Sequence, residues 1–179
     1  DFFTADGGVA EDVYAYSNRY GDERALVVYH NKYADVRGWV RTSAAFSVRT
    51  GSGDERALVQ RTLGEGLGLQ SSSDVFYIFR DHVTGLEYLR NGAELAEQGM
   101  YIELSAYKCH VFIDWREVRS DAVHQYAQLA GFLAGRGVPS IDEALKELFL
   151  QPLHYPFKEL VNADMFRRLI DAVEAAQAE

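Results

Sequence analysis

Histidine and cysteine side chains most often bind metals or act as base and nucleophile, and this chain of 179 residues has five histidines and one cysteine. The histidines are spread along the sequence as His30, His82, His110, His124 and His154. No two are three or four residues apart, the spacing that puts two metal ligands on one helix face. Cys109 and His110 are adjacent in a candidate strand, where neighbouring side chains point to opposite faces. The sequence therefore predicts no metal site, no cofactor and no nucleophile–base pair at these residues.

Paired carboxylates are a second kind of chemistry, because glycosidases place two of them on either side of a sugar bond. Three candidate pairs are Asp54 with Glu55, Asp114 with Glu117, and Asp142 with Glu143. The first pair falls in a turn, and the third falls at a predicted helix start, where acids favour the helix dipole. Asp114 is expected to form an ion pair with Arg116. Gly51-Ser52-Gly53 lacks the spacing of a hydrolase nucleophile turn, so no catalytic residue is predicted.

Aromatic side chains remain as candidate ligand contacts, since the chain contains 11 Tyr, 10 Phe and 2 Trp. Four of them are candidates for stacking on sugar rings: Tyr29, Tyr33, Trp39 and Trp115. The alternative interpretation is that they fill a core, because large aromatics bury much apolar area. For each of the four, the core is the favoured interpretation and carbohydrate contact is the alternative.

The chain that positions these residues is 47% hydrophobic and has a formal net charge of −9. Its apolar content suffices for one domain with an appendage or for two small units. The acidic charge repels phosphate backbones and anionic membranes, so neither nucleic acid nor a membrane is an expected partner. The longest stretch without a charged residue, 122–135, is too short and too polar to span a membrane. A single thiol favours a reducing compartment, and the expected location is the bacterial cytoplasm.

Residues 12–117 contain short runs of period two separated by turn residues, which is typical of β-strands. Residues 13–19 and 25–30 flank a Tyr-Gly-Asp-Glu turn and predict a hairpin. Further strands are expected over 39–48, 56–63, 75–79, 101–106 and 110–115. The glycine-rich segment 64–68 is expected to be a flexible connection. Leucines in 86–98 predict a short helix lying across one end of the sheet.

After residue 117 the apolar residues recur at helical spacing. Positions 122, 123, 126, 129, 130 and 133 predict a first helix, which Gly135, Gly137 and Pro139 end. Residues 140–143, Ser-Ile-Asp-Glu, match a capping box for a second helix. Pro152 and Pro156 are expected to bracket an irregular connection, and Asn162 to cap a third helix. The predicted fold is α+β, an antiparallel β-sandwich over 1–118 followed by a three-helix C-terminal extension over 119–179.

Two segments resemble a known enzyme family. Residues 12–31, which read DVYAYSNRYGDERALVVYHN, are similar to the stretch just beyond the catalytic barrel of α-amylase-family (glycoside hydrolase family 13-like) enzymes. Residues 99–112, GMYIELSAYKCHVF, resemble the closing strands of the C-terminal β-sandwich that follows that barrel. The resemblance covers 12–117, and the helical extension departs from it.

The resemblance implies a parent enzyme that acts on α-glucans, with its nucleophile, acid/base and third carboxylate on a (β/α)8 barrel. This chain has no eightfold strand–helix alternation, so no catalytic residue is carried over to it. The chain begins with Asp1 and not with Met, which a processed start or excision from a longer protein would each explain.

Three functions are consistent with these observations. The first is a non-catalytic C-terminal domain that packs on and stabilises the catalytic (β/α)8 barrel of the same parent chain. The second is a carbohydrate-binding module that contacts α-glucan through exposed aromatic residues. The third is an interaction module whose helical extension mediates assembly; the sequence predicts no particular oligomeric state.

Overall fold

A five-stranded antiparallel sheet is the largest element of the computed structural model, which describes residues 1–51, 54–121 and 124–177. Its strands lie side by side in the order β2 (Val13–Tyr20), β3 (Glu23–His30), β10 (Cys109–Arg119), β7 (Val75–Asp81) and β8 (Glu87–Asn91). Strands β2 and β3 pair from Val13 with His30 to Tyr20 with Glu23, which confirms the predicted hairpin. Because β2 lies at the edge of the sheet, one side of its backbone is unpaired within this sheet.

A three-stranded antiparallel sheet has the order β1 (Phe2–Phe3), β4 (Val36–Val40) and β9 (Met100–Leu104). A separate two-stranded ribbon joins β5 (Phe46–Arg49) to β6 (Arg56–Val59). Two residues of the Gly51-Ser52-Gly53 segment, Ser52 and Gly53, lie outside the described residues. So do Ala122 and Val123 at the predicted start of the first C-terminal helix, and residues 178 and 179 at the end of the chain.

One hydrophobic cluster takes side chains from both larger sheets. The five-stranded sheet contributes Val13, Leu26, Val28, Val75, Tyr77, Phe79, Phe112 and Trp115, and the three-stranded sheet contributes Phe2, Val40, Met100, Ile102 and Leu104. Strands β1 and β4 approach closely at Gly38, where a Cβ atom would collide with the carbonyl oxygen of Phe3. Only glycine fits between the two strands at this position, and this close packing explains why a glycine occurs inside strand β4.

The glycine-rich segment after β6 forms a short helix, α1 (Leu63–Leu67), where the sequence predicts a flexible connection. Thr62 and Glu65 form a reciprocal capping box: the Glu65 amide donates to the Thr62 hydroxyl, and the Thr62 amide donates to the Glu65 carboxylate. Gly68 ends the helix in a left-handed conformation with φ of 63°. The prediction is wrong because a capping box at the start and a glycine at the end stabilise one helical turn despite its internal glycines.

Residues 86–98 contain both a strand and a helix, where the sequence predicts a helix alone. Strand β8 pairs with β7 through residue pairs such as Leu89 with Ile78, and α2 (Gly92–Glu97) follows at once. The Asn91 side chain caps α2 by accepting from the amide of Ala93 at 2.9 Å. The leucine spacing is compatible with a helix, but pairing with β7, a contact distant in sequence, makes the first half a strand.

Three C-terminal helices follow the sheets: α3 (Tyr126–Leu133), α4 (Ile141–Leu160) and α5 (Ala163–Gln177). Asn162 accepts from the amide of Met165 at 2.9 Å, which confirms the predicted cap of α5. The predicted irregular connection at Pro152 and Pro156 is wrong, because α4 continues through both residues. Each proline removes one amide donor, and the hydrogen bonds of the flanking turns maintain the helix. No helix among the described residues has the length and apolarity needed to cross a membrane.

The described residues form an α+β fold of antiparallel sheets followed by C-terminal helices, as the sequence predicts at that level. The chain divides into two compact units, Asp1–Ile141 and Asp142–Glu179. The predicted domains, 1–118 and 119–179, place the division earlier in the chain and stay a prediction. Helix α3 belongs to the first unit, where it packs against β8.

Candidate functional site

The four aromatic residues singled out as carbohydrate contacts lie in four different places. Tyr29 is on β3, on the face of the five-stranded sheet that points away from the hydrophobic cluster, and is 36% exposed. Tyr33 is in the loop after β3 and is 85% exposed. Trp39 is half-buried on β4. Trp115 is in the core.

Trp115 therefore fits the core interpretation and offers no face to a ligand. Its ring stacks on Phe79 with the centroids 4.2 Å apart, and its Nε1–H donates to the carbonyl oxygen of Phe112 at 3.2 Å. A register shift in β10 between Ile113 and Arg116, with Asp114 at φ of 56°, explains this placement. A bulge adds one residue to the strand, so Trp115 points inward where strict alternation from Phe112 would point it outward.

Trp39 forms a cross-strand pair with Tyr101 of β9. Their rings meet edge to face, with centroids 5.0 Å apart and an angle of 60° between the planes. The neighbouring cross-strand pair on the same face is Arg37 with Glu103, and the Tyr101 hydroxyl donates to Glu103 Oε1 at 2.7 Å. This hydrogen bond raises the pKa of Tyr101. The arrangement combines two aromatic rings with charged hydrogen-bonding groups. Aromatic rings can contact the apolar faces of a ligand, while charged groups hydrogen-bond to its polar atoms and fix its orientation.

Tyr33 also has an aromatic neighbour, Tyr107, in the loop between β9 and β10. The ring centroids are 6.3 Å apart and the planes are tilted by 41°. The loops are held together by the Tyr107 amide, which donates to the carbonyl oxygen of Lys32 at 3.3 Å. Sequence reasoning missed Tyr101 and Tyr107, because each lies far along the chain from its aromatic partner and only strand pairing brings the two together.

A group of apolar and aromatic side chains lies on the outward face of β2, β3 and β10, and we call it the tyrosine face. It consists of Tyr14, Tyr16, Val27, Tyr29 and Val111, which share one side because they are cross-strand partners. Tyr14 is 56% exposed and Tyr16 is 63% exposed, and the two valines are half-buried. The alternation of Tyr14 and Tyr16 in the sequence was the available signal for this surface.

On β7 and β8, the outward face of the same sheet has buried apolar side chains. There Phe76, Ile78 and Leu89 are 4%, 1% and 2% exposed, and α3 packs against β8. This part of the outward face is therefore covered by the chain itself, and the tyrosine face is the part that remains open.

Asp81 and His110 form a buried polar contact on the inward side. The Nδ1–H of His110 donates to Asp81 Oδ2 at 2.8 Å, and Asp81 is 0% exposed. The other ring nitrogen of His110 lies 3.3 Å from the carbonyl oxygen of Glu103. A carboxylate-oriented histidine is the base of many hydrolytic sites, but a backbone carbonyl takes the position that a nucleophilic hydroxyl would need. This pair links β10 to β7 and to β9.

The Asp81 carboxylate also accepts from the amides of Val111 at 3.0 Å and Val83 at 3.1 Å, and from the Thr84 hydroxyl at 2.8 Å. Burial acts to raise the pKa of Asp81, but the hydrogen bonds from His110, Val111, Thr84 and Val83 together outweigh it, so the pKa is lowered. The ionised carboxylate is thus the form that the folded state favours.

Glu87 forms a second buried polar group, on the outward side. Its Oε1 lies 2.9 Å from Arg80 Nη2, and its Oε2 accepts from the amide of Ile141 at 2.9 Å. Arg116, for which the sequence predicts a pair with Asp114, lies 3.8 Å from Glu87. The carboxylate meets the first amide of α4, where a helix favours negative charge. These contacts have a structural function, since they hold the segment that follows α3 against β8.

No group of three or more His, Cys, Asp or Glu side chains in the described ranges is arranged to hold a metal ion. Three contact surfaces among the described residues could recognise a partner: an aromatic pair on β4 and β9, an aromatic pair in two loops, and the tyrosine face. No family model, no curated protein and no solved structure matches the chain.

Proposed function

We propose that this chain is a non-catalytic C-terminal module of an α-amylase-family glycoside hydrolase that acts on α-glucans. Its two larger sheets pack as a β-sandwich, and its tyrosine face packs on the catalytic (β/α)8 barrel of the same parent protein. The module covers and stabilises the barrel and takes no part in bond cleavage.

The positions in the fold of the two segments that resemble the family support this proposal. Residues 12–31 coincide with the β2–β3 hairpin, and residues 99–112 coincide with β9 and the first part of β10. Side chains from both sheets meet in a single hydrophobic cluster, as the two inner faces of a sandwich do.

The tyrosine face is the observation that carries the proposal. An exposed apolar patch on a sheet, next to an edge strand, marks an interaction surface or an aggregation hazard. Tyrosine is enriched at protein interfaces, since it buries a large ring and keeps a hydroxyl for hydrogen bonding. Burial of apolar area is favourable by about 25 cal/mol per Å², so covering Tyr14 and Tyr16 with a barrel would stabilise both partners.

Replacing Tyr14 and Tyr16 together with threonine tests this surface. Threonine retains the preference for a strand but removes the rings, and we expect the affinity of the chain for the separately expressed barrel to fall roughly a hundredfold. Leu58→Thr is the matched control, because Leu58 is an apolar residue on β6, outside the five-stranded sheet, and is 75% exposed. The measurement is a calorimetric titration, with circular dichroism to verify the fold. Equal affinities of the double variant and the control would refute this assignment of the surface.

A second candidate function is binding of α-glucan at Trp39 and Tyr101, which the edge-to-face pair beside Glu103 favours. The linear oligosaccharide maltoheptaose at millimolar concentration is then expected to change tryptophan fluorescence. Because Trp115 is in the core, the signal should come from Trp39 and vanish in Trp39→Phe. The change should also weaken in Tyr101→Thr. Fluorescence that stays constant up to saturating oligosaccharide would rule out this second function.

A further inference from the structure

A cavity of about 340 Å³ lies at the open edge of strand β2. Ala15 and Tyr16 both line it, and because they point to opposite faces of the five-stranded sheet, the cavity extends around the edge of the strand. Residues at the base of the β5–β6 ribbon form another wall, among them Arg41, Phe46 and Arg61. A volume of this size suits a small molecule, since ligand pockets measure about 300 to 1,000 Å³.

The charge of this cavity favours an anion. Among the described residues that line it, Arg41 and Arg61 are basic and Asp1 is acidic, which gives the lining a positive balance in a chain whose net charge is −9. Within residues 1–51, 54–121 and 124–177, neither guanidinium group forms an ion pair with a carboxylate. Both are therefore available for the forked pair of hydrogen bonds that guanidinium makes with phosphate or carboxylate.

Arg61 is positioned by contacts within the chain. Its guanidinium carbon lies 5.4 Å from the centroid of the Phe46 ring, in a cation–π contact, and its backbone amide donates to the Ser43 hydroxyl at 3.0 Å. A side chain that is already ordered loses less conformational entropy when a ligand binds. Ser17 and Thr42 also line the cavity, and their hydroxyls have no hydrogen-bond partner in the part of the chain that the structure describes.

We propose that this cavity binds a small phosphate monoester that has a flat apolar ring. Two arginines match a doubly charged group better than a singly charged one, and a phosphate monoester has nearly two negative charges above its second pKa of about 6. The rings of Tyr16 and Phe46 line the same cavity, and the organic part of the ligand can pack on them. Inorganic phosphate would leave these rings without a contact, and a carboxylate with one charge would leave one arginine unpaired.

The cavity lies beside the tyrosine face, and Tyr16 is the residue of that face that also lines the cavity. The inference goes beyond the proposed function, because neither packing on a barrel nor contact with α-glucan requires a phosphate group. Binding of the phosphate monoester is measured on this chain alone, so either proposal can fail without the other.

Calorimetric titration of the full chain with phenyl phosphate, at about pH 8 where this probe is a dianion, tests the site. We expect phenyl phosphate to bind about tenfold more tightly than inorganic phosphate, which lacks the ring, and about tenfold more tightly than benzoate, which has the ring and a single charge. Arg41→Gln and Arg61→Gln should each weaken the binding of phenyl phosphate about tenfold, because each removes a charge-assisted hydrogen bond. Arg56→Gln is the matched control: it has the same charge change at an exposed residue of β6 outside the described lining, and should leave the affinity unaltered.

Amide chemical shifts measured by nuclear magnetic resonance locate the bound probe. Phenyl phosphate should shift the signals of residues 15–17, 41–46 and 61–63 and leave those of β9 unchanged. A chain that binds no phenyl phosphate at tens of millimolar concentration would overturn the proposal, as would benzoate that binds as tightly as phenyl phosphate. An equal loss of affinity in Arg56→Gln and Arg41→Gln would also overturn it, because binding would then depend on overall charge and not on the cavity.

Discussion

Replacing Phe79 with alanine is expected to lower the free energy of unfolding by about 4 kcal/mol. Phe79 is 0% exposed, and its ring stacks on Trp115 at 4.2 Å and meets Phe112 edge to face at 5.4 Å. Tyr88 lies on it at 5.9 Å. Alanine would remove the ring around which three others are arranged, and the cavity cannot close without moving strands of the central sheet.

Urea unfolding followed by tryptophan fluorescence measures this loss. The matched control is Phe132→Ala on α3, which lies in the same unit as both tryptophans and has a ring that is 56% exposed, and the expected change is below about 0.5 kcal/mol. Since the whole stability of a domain is about 5 to 15 kcal/mol, the Phe79 variant should be unfolded in a sizeable fraction at elevated temperature. A loss below about 1 kcal/mol, less than the usual cost of removing a buried ring, would mean that the cluster is not packed as described.

Asp81→Asn is the second large effect, with an expected loss of about 2 to 3 kcal/mol at neutral pH. One carboxylate oxygen accepts from the amides of Val83 and Val111, and the other accepts from His110 and Thr84. The asparagine side chain retains one acceptor oxygen for the two amides, but its NH₂ group replaces the oxygen that accepts from His110 and Thr84. The charge-assisted hydrogen bonds to a buried carboxylate are thereby replaced by weaker bonds to a neutral amide.

The pH dependence of this loss has a definite sign. The folded-state pKa of Asp81 is lowered from the ordinary carboxyl value of 3.8, so its ionised form contributes stability that is fully present above that value. The contribution disappears as the pH falls through the folded-state pKa. The stability difference between wild type and Asp81→Asn should therefore narrow in acid.

Urea unfolding of both proteins over a series of pH values measures the difference. Asp35→Asn, in an exposed position, is the control and should match wild type at every pH. A difference in the free energy of unfolding between wild type and Asp81→Asn that stays constant from neutral to acidic pH would contradict this account, in which the folded state favours the ionised Asp81 carboxylate as a hydrogen-bond acceptor.

Local signals in the sequence predicted the parts of the fold that depend on neighbours in the chain. The β2–β3 hairpin follows from alternation around a Gly-Asp turn, and the α5 cap follows from Asn162. The glycine-rich segment before Gly68 was predicted wrongly although its capping box is also local. Glycine lowers helix propensity, and the prediction of a flexible connection leaves out the opposing effect of the capping box that Thr62 and Glu65 form.

The contacts of the candidate site depend on pairing between distant strands, and this is why the sequence could not predict them. Trp39 meets Tyr101, and Asp81 meets His110, only after the sheets have formed. The position of Trp115 depends on one extra residue in β10, which reverses the inward and outward sides of the strand beyond it. The order of polar and apolar residues in the sequence does not reveal such a bulge, because the inward and the outward positions of β10 both include apolar residues.

The exposure of the tyrosine face also depends on a distant element. Phe76, Ile78 and Leu89 on the outward side of β7 and β8 are apolar and buried, while Tyr14, Tyr16 and Tyr29 on the outward side of β2 and β3 are aromatic and exposed. The sequence does not distinguish the two sets of residues. Their exposure differs because α3, which begins after β10, packs against β8.

The most direct test of the proposed function starts from the coding sequence that precedes the codon for Asp1. We expect an in-frame (β/α)8 barrel there that binds this chain when both are expressed separately. Hydrogen–deuterium exchange of the complex should then show slower exchange in β2 and β3, around Tyr14, Tyr16 and Tyr29. A start codon directly before Asp1 would contradict the proposed function, as would a barrel whose binding leaves exchange in β2 and β3 unchanged.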